Sequence, residues 1–154
     1  MIVARITKRA FADQSLSGRG AMLYSGRWHS KGTPIAYTAS TASLALLELL
    51  VHVDRNSIPN DLMLLMFEIP DEFVGECTTL PKRWNATPHA PYAQRYGDRW
   101  AARGGVGNAT LALSVPSAIL RTERNILVNP LHPEFGRIRR VSSRSLAIDS
   151  RLFG

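Results

Sequence analysis

The feature that most constrains the fold is the run of residues 42–51, which is apolar at every position except Ser43 and Glu48. Ser40 and Thr41 precede this run, and either hydroxyl can accept a hydrogen bond from a first-turn backbone N–H. Apolar residues that continue over about three turns after such a cap predict an α-helix. The sequence therefore predicts a helix that begins at Ser40 and carries one carboxylate in its middle.

The position of Glu48 on this helix is unusual. Leu44, Leu47 and Val51 follow the i, i+3, i+7 spacing of a core-facing stripe, and Glu48 lies on the same face. A carboxylate there is unfavourable unless it is paired or hydrogen-bonded. One interpretation places Glu48 at the edge of the stripe, in an i, i+4 contact with His52. We favour the other interpretation, in which Glu48 faces a polar site that it shares with an arginine.

The residues before the helix supply an arginine and an aromatic ring. Residues 25–33 form a predicted turn around Arg27, and residues 34–37 form a short apolar strand that ends at Tyr37. One strand–helix unit thus carries a guanidinium, a phenol and the acid Glu48. Packing alone gives a fold little reason to gather such unlike groups, so we interpret them as parts of one functional site.

The overall size and charge restrict the class of protein. With 154 residues the chain is long enough for one domain with a real core, and we expect a single domain over residues 1–154. It has no apolar run of about 18 residues and no secretion leader, so we expect no membrane span and a cytoplasmic location. The lone cysteine, Cys77, suits a reducing compartment. The net charge of +7 suggests an anionic partner: nucleic acid, an acidic protein surface or a phosphorylated small molecule.

Apolar segments separated by turn residues predict the remaining elements. We expect strands at residues 2–6, 62–69, 110–115, 126–128 and 145–148, an amphipathic helix at 91–103, a surface loop at 11–24, an irregular segment at 75–90 and a turn at 104–107. Strands that alternate with two helices predict an α/β or α+β fold, that is, a single domain with a mixed sheet and few helices. The aromatic stripe Tyr92, Tyr96 and Trp100 is interpreted as core packing rather than as a ligand platform.

Spacing argues against several kinds of functional site. No histidine has a cysteine or carboxylate at the spacing of a zinc motif, so we expect no metal near His29, His52, His89 or His132. Ser117 follows a proline and lacks the GxSxG context of a serine nucleophile. The arginines between residues 137 and 144 lack the interleaved aromatic residues of a nucleic-acid stacking platform. A non-catalytic, basic nucleic-acid-binding domain stays open as an alternative because of the charge.

The groups around the helix suit the cleavage of NAD⁺. A planar arginine fork, here Arg27, binds a dinucleotide pyrophosphate through two hydrogen bonds. An aromatic face such as that of Tyr37 can lie beside a nicotinamide ring. Cleavage of an N-glycosidic bond passes through an oxocarbenium-like state, which the carboxylate of Glu48 can stabilise by its charge or by holding a ribose hydroxyl. A serine at a strand end can orient the acid or the ribose. Together these groups predict cleavage of NAD⁺ without a metal.

Three blocks of the sequence together resemble a known family. The blocks GRWHSKGTPIAYTASTASLALLELLVH, LALSVPSAI and NILVNPLHPEF, in this order, resemble the RES-domain family, the toxins of Xre–RES toxin–antitoxin pairs. The family is named after an arginine, a glutamate and a serine, which fall here on Arg27, Glu48 and Ser117. Its tyrosine before the helix falls on Tyr37. The choice of Ser117 over its neighbour Ser114 rests on the match to VPSA.

The resemblance implies a fold similar to that of the diphtheria-toxin-like ADP-ribosyltransferases, with NAD⁺ as the substrate and no metal cofactor. It implies that Arg27 binds the pyrophosphate, that Tyr37 borders the nicotinamide and that Glu48 stabilises the ribosyl cation. Ser117 is then expected to orient the ribose or Glu48. Arg5, on the first predicted strand, is interpreted either as a solvated face residue or as a second phosphate-binding cation.

The resemblance also implies partners. A cognate Xre-type antitoxin is expected to block the site by insertion near Arg27, and DNA contact is expected only through that antitoxin. The acceptor of ADP-ribose stays open between water, phosphate and a protein, of which we slightly favour a protein. The loop at residues 75–90 is interpreted either as a docking rim for that protein or as a segment that only covers the core. His29 departs from the asparagine that the family usually shows after GRW, and we expect it to bear on the acceptor side of the site.

Overall fold

A mixed sheet of seven strands forms the centre of the part of the chain that this computed structural model describes, residues 1–54, 58–88, 91–103 and 110–153. The strands are β1 (Ile2–Lys8), β2 (Ala36–Ala39), β3 (Leu62–Glu68), β4 (Val74–Glu76), β5 (Ala112–Pro116), β6 (Arg124–Val128) and β7 (Arg139–Ser145). Their order across the sheet is β4-β5-β6-β2-β1-β3-β7. β4 and β5 are parallel, and the other neighbours are antiparallel. The predicted fold class, a mixed sheet with few helices, is confirmed.

The helices of the described ranges are α1 (Arg19–Leu23), α2 (Ala42–Leu50) and α3 (Pro91–Ala102), together with short 3₁₀ segments. α2 begins close to the predicted position, and Thr41 rather than Ser40 is its N-cap. The Thr41 hydroxyl accepts a hydrogen bond of 3.1 Å from the Leu44 N–H, which satisfies a first-turn donor. α3 fills nearly the whole of the predicted helix at 91–103. None of the helices in these ranges is long and apolar enough to cross a membrane.

The sheet buries side chains on both faces. On β5 and β6, Ala112 and Ile126 belong to the cluster on one face. Leu113 and Leu127, one residue further along each strand, belong to the cluster on the other, as the period of two requires. All residues of β5 are buried, so this strand is covered on both faces. The second cluster also contains Trp28, and it therefore fixes the turn next to the predicted site.

α3 holds that turn at very short range. A Cβ atom at Gly97 would lie 1.8 Å from the Trp28 carbonyl oxygen, so this contact requires a glycine. Trp100 is buried in the same cluster and Tyr96 packs against it, which confirms core packing for these two aromatic residues. For Tyr92 the prediction is wrong: the residue is 53% exposed, and its neighbour Ala93 is the residue of this turn that enters the cluster.

The buried face of α2 differs from the predicted stripe. Leu44 and Ala45 pack on small alanines of β1 and β2. Leu47 and Val51 are 39% and 58% exposed, so the prediction that they face the core is wrong. The i, i+3, i+7 pattern assumes that the core runs the length of the helix. Here the first turn packs on the sheet, whereas the last turn borders the cavity described below.

The last strand is also misplaced in the sequence prediction. It is β7, at Arg139–Ser145, and not residues 145–148. β7 pairs with β3 at the edge of the sheet, and most of its residues are exposed. An edge strand with charged side chains has no alternation of apolar residues to reveal it.

Smaller differences occur at three other segments. The predicted loop at 11–24 contains part of a 3₁₀ segment, Arg9–Gln14, and α1. β2 begins two residues later than the predicted strand at 34–37. The segment at 75–90 begins within β4, and its described remainder, residues 77–88, is irregular, as expected. The predicted turn at 104–107 lies outside the described residues.

Candidate functional site

A cavity of about 810 Å³ opens beside α2. Its walls come from β1, the turn at 25–28, β2, the last turns of α2, the loop at 85–87 and residues just after β5. Four of the predicted site residues line it: Arg5, Arg27, Tyr37 and Glu48. Its volume lies within the range that is usual for ligand-binding pockets.

Glu48 is held through one of its two carboxylate oxygens. The Ser117 hydroxyl donates to Oε1 at 2.9 Å, and the Asn125 side-chain amide donates to the same atom at 2.6 Å. Both bonds fall on Oε1, and in the described ranges no hydrogen bond or ion pair engages Oε2. The negative charge of Glu48 raises the pKa of Arg27, whereas burial lowers it. This geometry agrees with the polar-site interpretation and not with an edge contact to His52, which is absent from the described hydrogen bonds and ion pairs.

Ser117 lies behind Glu48 rather than on the cavity wall. It is fully buried, and its hydroxyl oxygen accepts hydrogen bonds from the Ile119 and Leu120 N–H groups at 3.1 and 3.2 Å. Since its lone pairs are used in this way, the hydroxyl hydrogen is directed to Glu48. Ser114 instead accepts a hydrogen bond from the Arg124 Nε at 2.9 Å. The structure thus brings Ser117, and not Ser114, to the acid.

Arg27 ties the turn to the opposite loop. Its Nη1 atom donates to the carbonyl oxygens of Trp84 and Ala86 at 3.1 and 2.9 Å. Burial lowers the pKa of Arg27, whereas the neighbouring Glu48 and Tyr37 raise it. An arginine remains charged at neutral pH after such a shift. Its partners are carbonyl dipoles, so a full positive charge is placed in the cavity wall.

Arg5 extends from β1 into the same cavity and is not a solvated surface residue. Its Nη1 atom donates to the Tyr37 carbonyl oxygen, and its Nε atom is buried without a hydrogen-bond partner in the described structure. Burial lowers the pKa of Arg5 to about 10, which leaves it protonated at neutral pH. A buried N–H donor without a partner is rare in folded proteins. The guanidinium thus keeps hydrogen-bonding capacity beyond its contact with the Tyr37 carbonyl.

Tyr37 is fixed from behind by the turn. Its phenol oxygen accepts the Trp28 backbone N–H at 3.0 Å and lies 2.7 Å from the His29 Nδ1 atom. Burial raises the pKa of Tyr37, so the phenol stays protonated. His29 is only 5% exposed, and its Nε2 atom lies 2.9 Å from the Tyr24 carbonyl oxygen. His29 is not part of the cavity wall, so any effect of this residue on an acceptor has to pass through Tyr37.

Sequence reasoning missed Asn125 and the polar groups near the cavity mouth. Asn125 is half-buried just before the buried part of β6 and pairs with Ala39 of β2, next to the start of α2. The sequence offered one signal for Asn125, which is a polar residue directly before the apolar run 126–128. The spacing of residues does not show which strand lies beside Asn125. Asn85 and Thr87 add further polar groups at the loop side of the cavity. In the described ranges no cluster of three or more histidine, cysteine or acidic residues is arranged to hold a metal ion.

The comparisons with known proteins show the family of the chain and support its fold. Residues 2–149 match the RES domain family. A protein named Toxin Res from Photorhabdus laumondii subsp. laumondii is 37% identical over 155 residues, with 99% of this chain and 97% of that protein covered. A Prs ADP-ribosylating toxin from Sphingobium sp. is 34% identical over 149 residues, with coverage of 94% and 90%. The chain therefore belongs to the RES domain family.

A solved structure supports the fold independently. The crystal structure of the M. tuberculosis MbcT–MbcA toxin–antitoxin complex contains a chain that superposes with a TM-score of 0.71 at 20% sequence identity. The match covers 94% of this chain and 83% of that one. At this identity the similarity establishes a shared fold.

Proposed function

We propose that this protein is the NAD⁺-consuming toxin of a toxin–antitoxin pair, a single RES domain over residues 1–154 that acts in the cytoplasm. The observation that carries the proposal is the carboxylate of Glu48, which is held through Oε1 by Ser117 and Asn125 in a cavity that also contains two arginines. The membership of the RES domain family and the name of the Sphingobium relative support it.

The two arginines provide the binding site for the pyrophosphate. Neither Arg5 nor Arg27 forms an ion pair with a carboxylate in the described ranges; their hydrogen bonds go to backbone carbonyls. Carbonyl partners orient a guanidinium without neutralising it, and an arginine donates to phosphate oxygens through a planar fork. The two positive charges match the two negative charges of the pyrophosphate. The buried Nε of Arg5 stays in the wall, and the anion is expected to meet the terminal N–H groups of the guanidinium.

The chemistry is a cleavage of the bond between the ribose C1′ and the nicotinamide nitrogen. The electron pair of this bond leaves with the nicotinamide, which changes from a pyridinium cation into a neutral molecule. No proton donor is therefore needed for the leaving group. The positive charge moves to the ribose ring, and the negative charge of Glu48 stabilises this oxocarbenium-like state. The free Oε2 oxygen is available to hold a ribose hydroxyl, and the Tyr37 ring borders the nicotinamide.

The ribosyl cation is then captured by a nucleophile. We propose that this nucleophile belongs to a protein, so that the protein is a mono-ADP-ribosyltransferase, with hydrolysis or phosphorolysis of NAD⁺ as the alternatives. The Sphingobium relative named as an ADP-ribosylating toxin supports transfer. A protein acceptor needs an accessible rim, and the loop that Arg27 holds through Trp84 and Ala86 lies at the cavity with Asn85 and Thr87.

The antitoxin is part of the same proposal. A solved relative in fold is a toxin in complex with its antitoxin. We propose that the partner of this chain is an Xre-type antitoxin, that it inserts a segment near Arg27, and that the pair contacts DNA only through it. An acidic segment fits this site because the cavity carries two arginines and the chain has a net charge of +7.

The first experiment measures free nicotinamide after the purified protein is mixed with NAD⁺. We expect one molecule of nicotinamide to be released for each NAD⁺ consumed. We also expect this release to be inhibited when the antitoxin is added. If no nicotinamide appears with the antitoxin-free protein, either alone or with a host lysate that supplies acceptor proteins, although circular dichroism shows that it is folded, the proposed function is wrong.

The second experiment identifies the acceptor. NAD⁺ labelled in the adenosine part is added to a lysate of a bacterial host, and the label is followed on a denaturing gel and by chromatography. We expect a discrete labelled protein band that disappears with the Arg27→Ala variant. Label recovered only as free ADP-ribose, or as its phosphate, would contradict transfer and support hydrolysis or phosphorolysis.

A further inference from the structure

The direction of the hydrogen bonds around Tyr37 can be worked out from their chemistry. The Trp28 backbone N–H is always a donor, so at 3.0 Å it donates to the phenol oxygen. The Tyr24 carbonyl can only accept, so the His29 Nε2 atom, 2.9 Å away, carries a hydrogen. A neutral imidazole with its hydrogen on Nε2 accepts at Nδ1. The phenol, 2.7 Å from Nδ1, therefore donates its only hydrogen to His29.

The surrounding groups keep the imidazole neutral. Burial lowers the pKa of His29 below its usual value, and this effect is larger than the opposite effects of the Tyr24 carbonyl and of Asp98. Asp98, on α3, is itself held by the Ser30 N–H and hydroxyl at 2.9 and 2.6 Å. Its negative charge is thus partly satisfied by Ser30. On the cavity side, Arg27 and Glu48 are the charged groups that act on Tyr37, and their effects on it have opposite signs.

The backbone is built to permit this contact. A Cβ atom at position 26 would lie 2.4 Å from Cε1 and 2.8 Å from Nδ1 of His29, and 3.1 Å from the Tyr37 hydroxyl. Gly26 leaves this space free, and its N–H donates to the His29 carbonyl at 3.0 Å. The turn thus places the imidazole behind the phenol by two independent features, a hydrogen-bonded bridge and a missing side chain.

We propose that His29 is a positioning residue for Tyr37: it accepts the phenol hydrogen and so fixes the aromatic ring in the cavity wall with no free O–H donor toward the ligand. The consequence for catalysis rests on the proposed function. A phenol whose hydrogen has no acceptor can rotate its O–H bond into several orientations. It can also hold a water molecule beside the nicotinamide. The fixed phenol has lost that freedom before the substrate binds, so less free energy is lost on binding.

The structural claim is tested without NAD⁺. The protein is labelled with ¹⁵N in the histidine rings, and the His29 signals are assigned as those missing from the spectrum of His29→Phe. At pH 7 we expect the chemical shifts of a neutral ring with hydrogen on Nε2 and none on Nδ1. We also expect this ring to stay neutral at a pH where an exposed histidine takes up a proton. A hydrogen on Nδ1, or a doubly protonated ring at pH 7, would overturn the proposal.

The positioning role is tested by a double-mutant cycle on kcat/KM for nicotinamide release. His29→Phe keeps an aromatic ring but removes the acceptor, and Tyr37→Phe removes the hydrogen that it accepts. We expect each single variant to lower kcat/KM by roughly 10-fold, which is the loss of about one hydrogen bond. The double variant should lose little more than Tyr37→Phe alone, because both changes remove the contact between His29 and the phenol, and only Tyr37→Phe also removes the acceptor of the Trp28 N–H.

Two controls separate positioning from a structural role. Tyr24→Ala removes an exposed side chain but keeps the carbonyl that orients His29, so kcat/KM should stay within about twofold of wild type. His29→Gln keeps an acceptor and a donor and should recover part of the activity lost in His29→Phe. Additive losses, or activities that follow only the melting temperature, would contradict positioning. If the protein releases no nicotinamide at all, the proposed function fails, while the ¹⁵N result still decides the role of His29.

Discussion

The arginines near the end of the chain and the arginines of the cavity use the same side chain in opposite ways. On the surface, Arg139, Arg140 and Arg151 form ion pairs with Glu68, Asp13 and Asp149. In the cavity, Arg5 and Arg27 bind backbone carbonyls instead. These three surface charges are paired locally, whereas neither cavity arginine has an acid within ion-pair distance in the described ranges. The net charge of +7 therefore says less about function than the place where positive charge is left unpaired.

The largest effect is expected for Arg27→Ala. It removes a cavity charge and both bonds to the loop at 84–86, so nicotinamide release should fall by roughly 100-fold or more. Arg27→Lys should recover little, because an ammonium does not reproduce the planar fork. The matched control is Arg139→Ala, which removes a surface arginine and should leave the rate within about twofold. Equal losses in the two alanine variants would remove the distinction between the two groups of arginines.

The sequence predicts these two groups unequally well, and the reason is physical. Arg27, Tyr37 and Glu48 belong to one strand–helix unit, so local spacing is enough to bring them together. Arg5 stays ambiguous in the sequence, because a strand pattern gives the face of a residue but not what covers that face. Asn125 lies 77 residues from Glu48, and only the pairing of β6 with β2 brings the two side chains into contact.

The fold shows the same limit. α2, β1, β3 and α3 have apolar periods long enough to be recognised in the sequence. β7 has none, because an edge strand with exposed arginines buries too little to require one. Leu47 and Val51 fit the helical period but are largely exposed, since only Leu44 and Ala45 of α2 are buried against β1 and β2. A period identifies the element, whereas burial depends on how far the partner surface extends.

A smaller loss of activity, without a matching loss of stability, is expected for Arg5→Met. This change removes a buried donor without a partner and fills the space with an apolar chain. We expect the free energy of unfolding either to increase or to fall by no more than about 1 kcal/mol. The reason is that a poorly satisfied buried charge contributes little net stability. Nicotinamide release should nevertheless decrease by about tenfold, since a phosphate partner is lost. Urea unfolding and the nicotinamide assay measure the two quantities on the same sample.

The matched surface change is Arg140→Met, which breaks the pair with Asp13. An exposed pair of this kind stabilises by about 1 kcal/mol or less and has no link to the cavity, so both quantities should stay near wild type. An Arg5→Met protein that is strongly destabilised but still fully active would contradict the assignment of Arg5 to the site.

The smallest effect is expected when two surface arginines are reversed in charge. In Arg139→Glu with Arg140→Glu, nicotinamide release should stay within about twofold, because solvent and salt screen these positions. The same variant tests the nucleic-acid alternative. If the free wild-type protein binds DNA with an affinity that falls steeply with salt, and the reversed variant does not, the surface arginines have a binding role of their own. We expect no such difference in the absence of the antitoxin.

The most direct test of the central claim, that the carboxylate of Glu48 drives the cleavage, compares binding with chemistry in Glu48→Gln. Glutamine keeps the size of the side chain and its contacts to Ser117 and Asn125 but removes the charge. NAD⁺ binding, measured by calorimetry, should stay within a few-fold of wild type, while nicotinamide release in a single turnover falls by roughly 100-fold or more. Glu72→Gln, at an exposed position, serves as the control and should behave as wild type. Release by Glu48→Gln at the wild-type rate would contradict the claim.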